Sequence, residues 1–341
     1  MRDIVLISFT PLSAGGGVPR WNRDFIAGFP GTKHFSYFDV PGNMAVNEWE
    51  AAAVLAAWLV NTKKVTKDDI IIADGFWGER FSMWNYNVIS IAHGIWSHLT
   101  KEDVDAGKQP EFPVQNAFQV KHRRDHLARG GKIVAVSDFI ADQMRLQWGF
   151  ESHVINNAID LDKYKRPKSR MPNWTDSRLV IHGVTNANKG FEHIEAVKKA
   201  LLNDDVWLLD EAAEKLELPK YEALANADLV VQPSAYEGNS YFVLETLACD
   251  VPIVAYNVGL LNSITEQCKK AGIPCCIGCV IDRRLRSPEE TAKVTKWILD
   301  SVTRERSLYN PRQVAELYSV QNFHREWRLY LEKYVTDLES R

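Results

Sequence analysis

Short apolar runs alternate along the chain with longer stretches in which apolar positions recur at helical spacing. The runs Ile4–Phe9, Ile70–Ala73, Val88–Ala92, Lys132–Val136, His153–Ile155, Leu179–His182, Val206–Leu209, Leu229–Gln232 and Pro252–Ala255 predict strands. The stretches Glu48–Asn61, Val120–Arg129, Ile140–Trp148, Phe191–Leu202, Leu218–Asn226, Tyr241–Cys249 and Pro288–Arg304 predict helices. Short strands buried on both faces and separated by helices belong to parallel, doubly wound α/β sheets. The 341 residues suffice for two domains, each with its own core.

The pattern breaks once. After Ile155-Asn156-Asn157-Ala158-Ile159-Asp160 comes Lys163–Asp176, rich in Lys, Arg and Pro and without a hydrophobic period. This stretch reads as a crossing between two Rossmann-like halves. Two last helices are expected around Pro311–Tyr318 and Phe323–Tyr334. The terminal one carries Phe323, Trp327, Tyr330, Leu331 and Tyr334 at helical spacing. It is expected to return to the first half, dividing the chain into 1–158 with 322–341 and 159–321.

Composition narrows the picture. A net charge of −3 argues against a generally basic, nucleic-acid-coating surface. No run approaches the roughly 18 apolar residues that span a bilayer, and Ile4-Val5-Leu6-Ile7 reads as a first strand and not as a signal peptide. No integral membrane segment is therefore expected. Five cysteines, all in the C-terminal half, fit a reducing cytoplasm better than a disulfide framework. Cys275-Cys276-Ile277-Gly278-Cys279 has only Cys268 as a further ligand candidate. A structural zinc usually takes two separated pairs, so buried thiols near a strand are the better reading and no metal is expected.

The chemistry concentrates in Leu229–Tyr256, which reads strand, loop, helix, strand. Val230-Val231-Gln232-Pro233-Ser234 ends a strand, Ala235-Tyr236-Glu237-Gly238 forms a loop, and Ser240 is a candidate helix N-cap. Ligands of open α/β sheets bind at the carboxyl ends of strands, where helix N-termini attract phosphate. Glu237 and Glu245 would flank that anion site. Carboxylates accept strong hydrogen bonds from sugar hydroxyls; as an isolated pair they would equally be a loop acid and a helix-start acid.

The whole context, Pro-Ser-x-x-Glu-Gly, then Leu-Glu-x-Leu-Ala-Cys before Val-Pro-Ile-Val-Ala, closely resembles the retaining glycosyltransferases of family 4. The resemblance implies the GT-B fold, with two Rossmann-like domains facing across a cleft. It implies that Glu237 holds donor-sugar hydroxyls and Glu245 the ribose diol, while backbone N–H groups at Asn239 and Ser240, after Gly238, meet the diphosphate. Other segments resemble the family in the same order. The loop Ser13-Ala14-Gly15-Gly16-Gly17-Val18 follows the first strand; alone, Gly15, Gly16 and Gly17 could be an ordinary flexible turn, and by resemblance they close over donor phosphates and acceptor. His93-Gly94 follows another strand, and by resemblance His93 lies beside the transferred sugar. Val136-Ser137 and the segment from Val154 to Asp160 resemble the path out of the first domain. Leu179-Val180-Ile181-His182-Gly183 followed by Asn188-Lys189-Gly190-Phe191 resembles the strand and basic loop that neutralise the leaving diphosphate through Lys189.

The chain departs from the pattern in four places. Val184 stands where the family commonly has an arginine, so either Lys189 acts alone or another basic residue, such as Arg20, assists. Asn239-Ser240 replaces a bulkier pair. Asp250 takes the place of a helix-ending glycine, and the stretch between Lys189 and Glu237, which contributes the base pocket, is short. Two further groups stay open: Lys121-His122-Arg123-Arg124 with Arg129 is a phosphate-contacting cluster or a solvated helix face, and Phe76, Trp77, Phe81, Trp84, Tyr86 and Trp96 either stack on a ligand or fill core.

The expected function is retaining, metal-independent transfer of a sugar from a nucleotide diphosphate, of UDP or GDP type, with no cofactor. Charge leaving onto the diphosphate would be met by Lys189 and the helix start after Gly238, and domain closure would exclude water. The acceptor is open among glycan, lipid, protein, small metabolite and modified nucleic acid. An epimerase or phosphorylase on the same fold, or a non-catalytic sugar-nucleotide binder, are the alternatives.

Overall fold

The computed structural model describes residues 2–42, 47–95, 107, 109–110, 112–166, 178–184, 189–202 and 204–340. Trp96, Asn188 and the expected crossing from residue 167 onward lie outside the described residues. The chain divides into two compact units, Met1–Asn156 with Trp327–Arg341, and Asn157–Glu326.

The first unit is built on a six-stranded sheet of β1 (Ile4–Ser8), β2 (Lys33–Ser36), β3 (Ile70–Asp74), β4 (Asn87–Ala92), β5 (Lys132–Ala135) and β6 (His153–Val154), in the order β2-β1-β3-β4-β5-β6. Every pairing is parallel. The central strands are the continuous apolar runs: Val5, Ile7, Ile71 and Ala73 face helix Glu48–Asn61 through its Ala51, Ala52, Leu55, Ala56 and Leu59. That helix starts cleanly because the Asn47 side chain accepts from the backbone N–H groups of Trp49 and Glu50, filling two otherwise orphan donors. Within this unit Trp327, from helix Val320–Glu339, packs edge-on against Trp21 and Phe25 of helix Gly17–Gly28.

The second unit has a five-stranded parallel sheet, β7 (Leu179–His182), β8 (Asp205–Leu208), β9 (Leu229–Gln232), β10 (Ile253–Tyr256) and β11 (Gly278–Ile281), in the order β11-β10-β9-β7-β8. Both sheet faces are covered. One core gathers Leu179, Ile181, Val230 and Ile253 with Leu244 and Leu247; the other gathers Val180, Val231 and Val254 with Ile194, Val197, Ile298 and Leu299.

β2 and β11, and helix Leu209–Leu216, were not anticipated from the sequence. Helix Pro113–Ala128 begins seven residues before the predicted start at Val120. Asp250 adopts a left-handed backbone, φ 57°, the conformation a glycine takes without strain. It is held there by its neighbours: Arg306 approaches its carboxylate at 3.0 Å, and the backbone N–H of Arg312 donates to it at 3.2 Å.

Candidate active site

The predicted donor segment forms at the carboxyl end of β9. Ser240 caps helix Tyr241–Ala248, its hydroxyl accepting from the N–H of Val243 at 3.4 Å. The preceding loop is tied down from several sides. The Asn157 side chain donates to the Asn239 carbonyl at 2.9 Å, in a buried contact. Gly259, φ 58°, lies so close that a Cβ there would meet the Glu237 Cβ at 3.1 Å and the Gly238 carbonyl at 3.2 Å. Gly190, φ 92°, presses on Pro233 so tightly that a Cβ would lie 2.7 Å from its carbonyl oxygen. The glycine after Lys189 thus lets the β7 loop meet the β9 loop.

That approach creates a contact that sequence spacing did not reveal. Lys189 Nζ donates to Glu237 Oε1 at 2.6 Å, and the same oxygen accepts from Gln232 Nε2 at 3.2 Å. The Lys189 side chain keeps about a third of its surface exposed, at 35%, against 12% for Glu237. The carboxylate is therefore fixed by two donors, while the lysine side chain stays partly exposed. Gln232, buried at the end of β9, also donates to Ser234, which braces the first loop residues.

Glu245 lies within helix Tyr241–Ala248 and accepts a hydrogen bond at 2.7 Å from the buried Tyr164 hydroxyl. No motif in the sequence marks Tyr164; only the fold brings a residue 81 positions away to this carboxylate. Val184 is buried in the core with Ile194 and Val197, in keeping with its apolar character. Its N–H donates to His182 Nδ1, and burial pushes that imidazole down to about 4.

In the first unit, Gly16 caps helix Gly17–Gly28 with φ 103°. Gly15 and Gly16 have open space where a side chain would be, so backbone is presented without cover. Arg23 ties this loop to its helix by donating to the carbonyls of Leu12 and Ala14. Arg20, proposed as a helper cation, lies 4.0 Å from Asp24 one turn along the same helix.

At the carboxyl ends of β3 and β4, His93 Nε2 lies 3.6 Å from Asp74 Oδ1, with side chains 18% and 22% exposed. Trp21 packs edge-on to the His93 ring at 5.5 Å. Burial pushes the Asp74 carboxyl up to about 7, opposed by the Arg123 charge. Burial, and then Arg123, push His93 down to about 3. Both shifts are toward the neutral form, as burial dictates.

The basic stretch on helix Pro113–Ala128 is not a solvated face throughout. His122 and Arg123 are buried, and His122 pairs with Glu79, while Lys121 and Arg124 are exposed. A cavity of about 40 Å³ beside Arg123 is lined also by Gly75, Ser90, Gln119 and His126. Of the aromatic group, Trp77 and Phe81 fill core, and Phe76 stacks on Trp49 at 3.8 Å. The five cysteines are free thiols; Cys249 and Cys268 are buried, and Cys279 is in β11.

Residues 161–299 match the family model of glycosyl transferases group 1. The D-inositol 3-phosphate glycosyltransferase of Pseudarthrobacter chlorophenolicus is 32% identical over 146 residues, covering 43% of this chain and 31% of that protein. The chain spans between about a third and a half of the lengths of the two curated relatives it matches. Among solved structures, sucrose-phosphate synthase from Thermosynechococcus elongatus aligns with a TM-score of 0.75 at 14% identity, covering 98% of this chain and 100% of that one. Anabaena HepE in complex with UDP-glucose aligns with a TM-score of 0.70 at 15% identity, covering 97% and 99%. With the two parallel-sheet α/β units, these likenesses show the GT-B fold.

Proposed function

We propose that the chain is a retaining glycosyltransferase that moves a sugar from a nucleotide diphosphate, of UDP or GDP type, to an acceptor without a metal ion or other cofactor. The observation that carries this reading is the Lys189–Glu237 pair. It stands at the carboxyl end of β9, beside the capped start of helix Tyr241–Ala248 and within the segment that matches the glycosyl transferases group 1 model.

The roles follow from charge. Breaking the bond between the anomeric carbon and the diphosphate sends an electron pair to the departing phosphate oxygen. The Lys189 ammonium, held by Glu237, and the N–H groups at Asn239 and Ser240 would meet that charge as preorganised groups, stabilising the transition state more than the ground state. Glu237, held by Lys189 and Gln232, accepts hydrogen bonds from donor-sugar hydroxyls, and Glu245, oriented by Tyr164, takes the ribose diol. The acceptor oxygen bonds to the anomeric carbon from the face the diphosphate leaves. Its proton passes to the departing phosphate oxygen, which accounts for retention without a protein base. In the first unit, the exposed backbone of Gly15, Gly16 and Gly17 and a neutral His93 would present hydrogen-bonding groups to sugar and acceptor.

The test incubates the whole chain with labelled UDP-, GDP-, ADP- and dTDP-sugars and no acceptor. UDP-glucose, the ligand in the HepE complex, is the first donor to try. Slow release of free sugar and nucleoside diphosphate is expected, with the sugar keeping its anomeric configuration when first released. An altered sugar nucleotide would point instead to an epimerase. Tight binding without any turnover would point to a sugar-nucleotide binder.

A further inference from the structure

A strongly basic side chain, Arg286, stands at the ligand end of the second unit's sheet and has no role in the proposed transfer. Arg286 follows β11, at one edge of the sheet. Its guanidinium lies 6.0 Å over the ring of Tyr256, the last residue of β10, and its Nε points to the carbonyl of Pro233, just past β9, at 3.4 Å. The side chain therefore reaches back across β10 to β9. Pro233 is also the residue against which Gly190 packs, and Gly190 arrives from β7 on the other side of β9. Arg286 and the Lys189-Gly190 loop thus converge on one backbone group from opposite directions.

A second observation agrees. His193, in the first turn of helix Phe191–Ala200, is held below its ordinary value first by burial and then by the Arg286 charge. The guanidinium therefore lies alongside the element that begins just after Lys189. Among the described residues Arg286 meets no carboxylate. Its half-buried charge is compensated only by a ring face and a long carbonyl contact, which is weak pairing for an arginine. Val184, buried in apolar core, brings no charge to this end of the sheet.

We infer that Arg286 supplies the second positive charge on the donor diphosphate, opposite Lys189 across the end of β9. This rests on the function proposed above. A planar fork with several donors can grip two phosphate oxygens at once, so the anion is clamped between a point charge and a fork.

The test titrates UDP, GDP, uridine and guanosine into the whole chain by calorimetry, using wild type, Arg286→Gln and Arg286→Lys. Arg286→Gln is expected to weaken binding of the preferred diphosphate roughly tenfold to a hundredfold, while nucleoside affinity stays unchanged. Arg286→Lys keeps the charge without the fork and should lie between. Donor hydrolysis in Arg286→Gln should lose kcat as well, because the contact strengthens as charge leaves. Unchanged diphosphate binding in Arg286→Gln overturns the inference, as does an equal loss for diphosphate and nucleoside. If the unliganded melting temperature shows Arg286→Gln to be misfolded, Arg286→Met decides in its place, and wild-type diphosphate affinity in that variant overturns the inference. A wild type that binds neither diphosphate fails the proposed function itself, and this inference with it; wild-type binding with unaltered variants fails this inference alone.

Discussion

The two units carry the same kind of sheet, and each gathers ionisable residues at the carboxyl ends of its strands, yet they treat charge in opposite ways. In the second unit Lys189 and Glu237 are joined directly at 2.6 Å, with the lysine partly open to solvent. In the first unit Asp74 and His93 stand farther apart, at 3.6 Å, and burial drives both toward their neutral forms. One site joins a lysine directly to a carboxylate; the other is pushed by burial toward its neutral forms. A site that keeps a cation suits an anionic diphosphate; one that sheds charge suits uncharged hydroxyls, which need a hydrogen-bond partner and not a counter-ion.

The sharpest way to break this contrast is Lys189→Ala. Removing one preorganised group that meets leaving-group charge should lower donor turnover roughly 100- to 1,000-fold, as read by initial rates of labelled-donor hydrolysis. A change of only a few-fold would mean that the lysine serves merely to hold Glu237.

Glu237→Gln should cost less. It removes a charge-assisted acceptor for sugar hydroxyls and leaves Lys189 free, so kcat/KM should fall roughly tenfold or more while nucleoside diphosphate binds at least as tightly. Calorimetry with the sugar-free diphosphate separates the two effects. Weaker diphosphate binding would show that Glu237 organises the phosphate site instead.

In the first unit the test is a pH-dependent stability. The Asp74 carboxyl is raised from 3.8 to about 7, so its contribution is fully present below 3.8 and is lost as pH rises through about 7. The His93 imidazole is lowered from 6.5 to about 3, so its contribution is present above 6.5 and is lost as pH falls through about 3. The two slopes oppose each other in wild type. Asp74→Asn removes only the first. Its melting temperature relative to wild type should therefore rise by several degrees between about pH 4 and about pH 8. A constant difference would mean that Asp74 is ionised in the folded chain.

The smallest effect concerns the helix start. Ser240→Ala removes the cap on helix Tyr241–Ala248 and should cost about 1 kcal/mol, seen as a drop of roughly 2–4 °C in thermal unfolding. Diphosphate affinity should change little, since the backbone N–H groups remain.

What could be read from the sequence follows the same physics. Strands buried on both faces, such as Leu229–Gln232 and Ile253–Tyr256, are continuous apolar runs and were legible. Of the four edge strands, β6 and β8 were legible and β2 and β11 were not. Lys33–Ser36 reads KHFS and Gly278–Ile281 reads GCVI; an edge is covered less completely and needs no unbroken apolar run. The first turns of helix Pro113–Ala128, missed from the sequence, carry Val114, Ala117 and Phe118 at helical spacing, but bury none of them fully. The Ser240 cap was legible because it is a local motif. The contacts of Lys189 with Glu237, Tyr164 with Glu245 and Arg286 with Pro233 were not. They join residues 48, 81 and 53 positions apart, and they follow from strand order, which apolar periodicity does not encode.

The central claim is that the segment from Glu237 to Glu245 holds a nucleotide diphosphate sugar. It is tested most directly by a thermal-shift screen of UDP-, GDP-, ADP- and dTDP-sugars against wild type and Glu245→Ala, since a ligand that binds only the folded state raises apparent stability. The account predicts that one nucleotide class stabilises wild type and that Glu245→Ala loses most of that shift. Equal stabilisation of both proteins, or of neither by any donor, would contradict it.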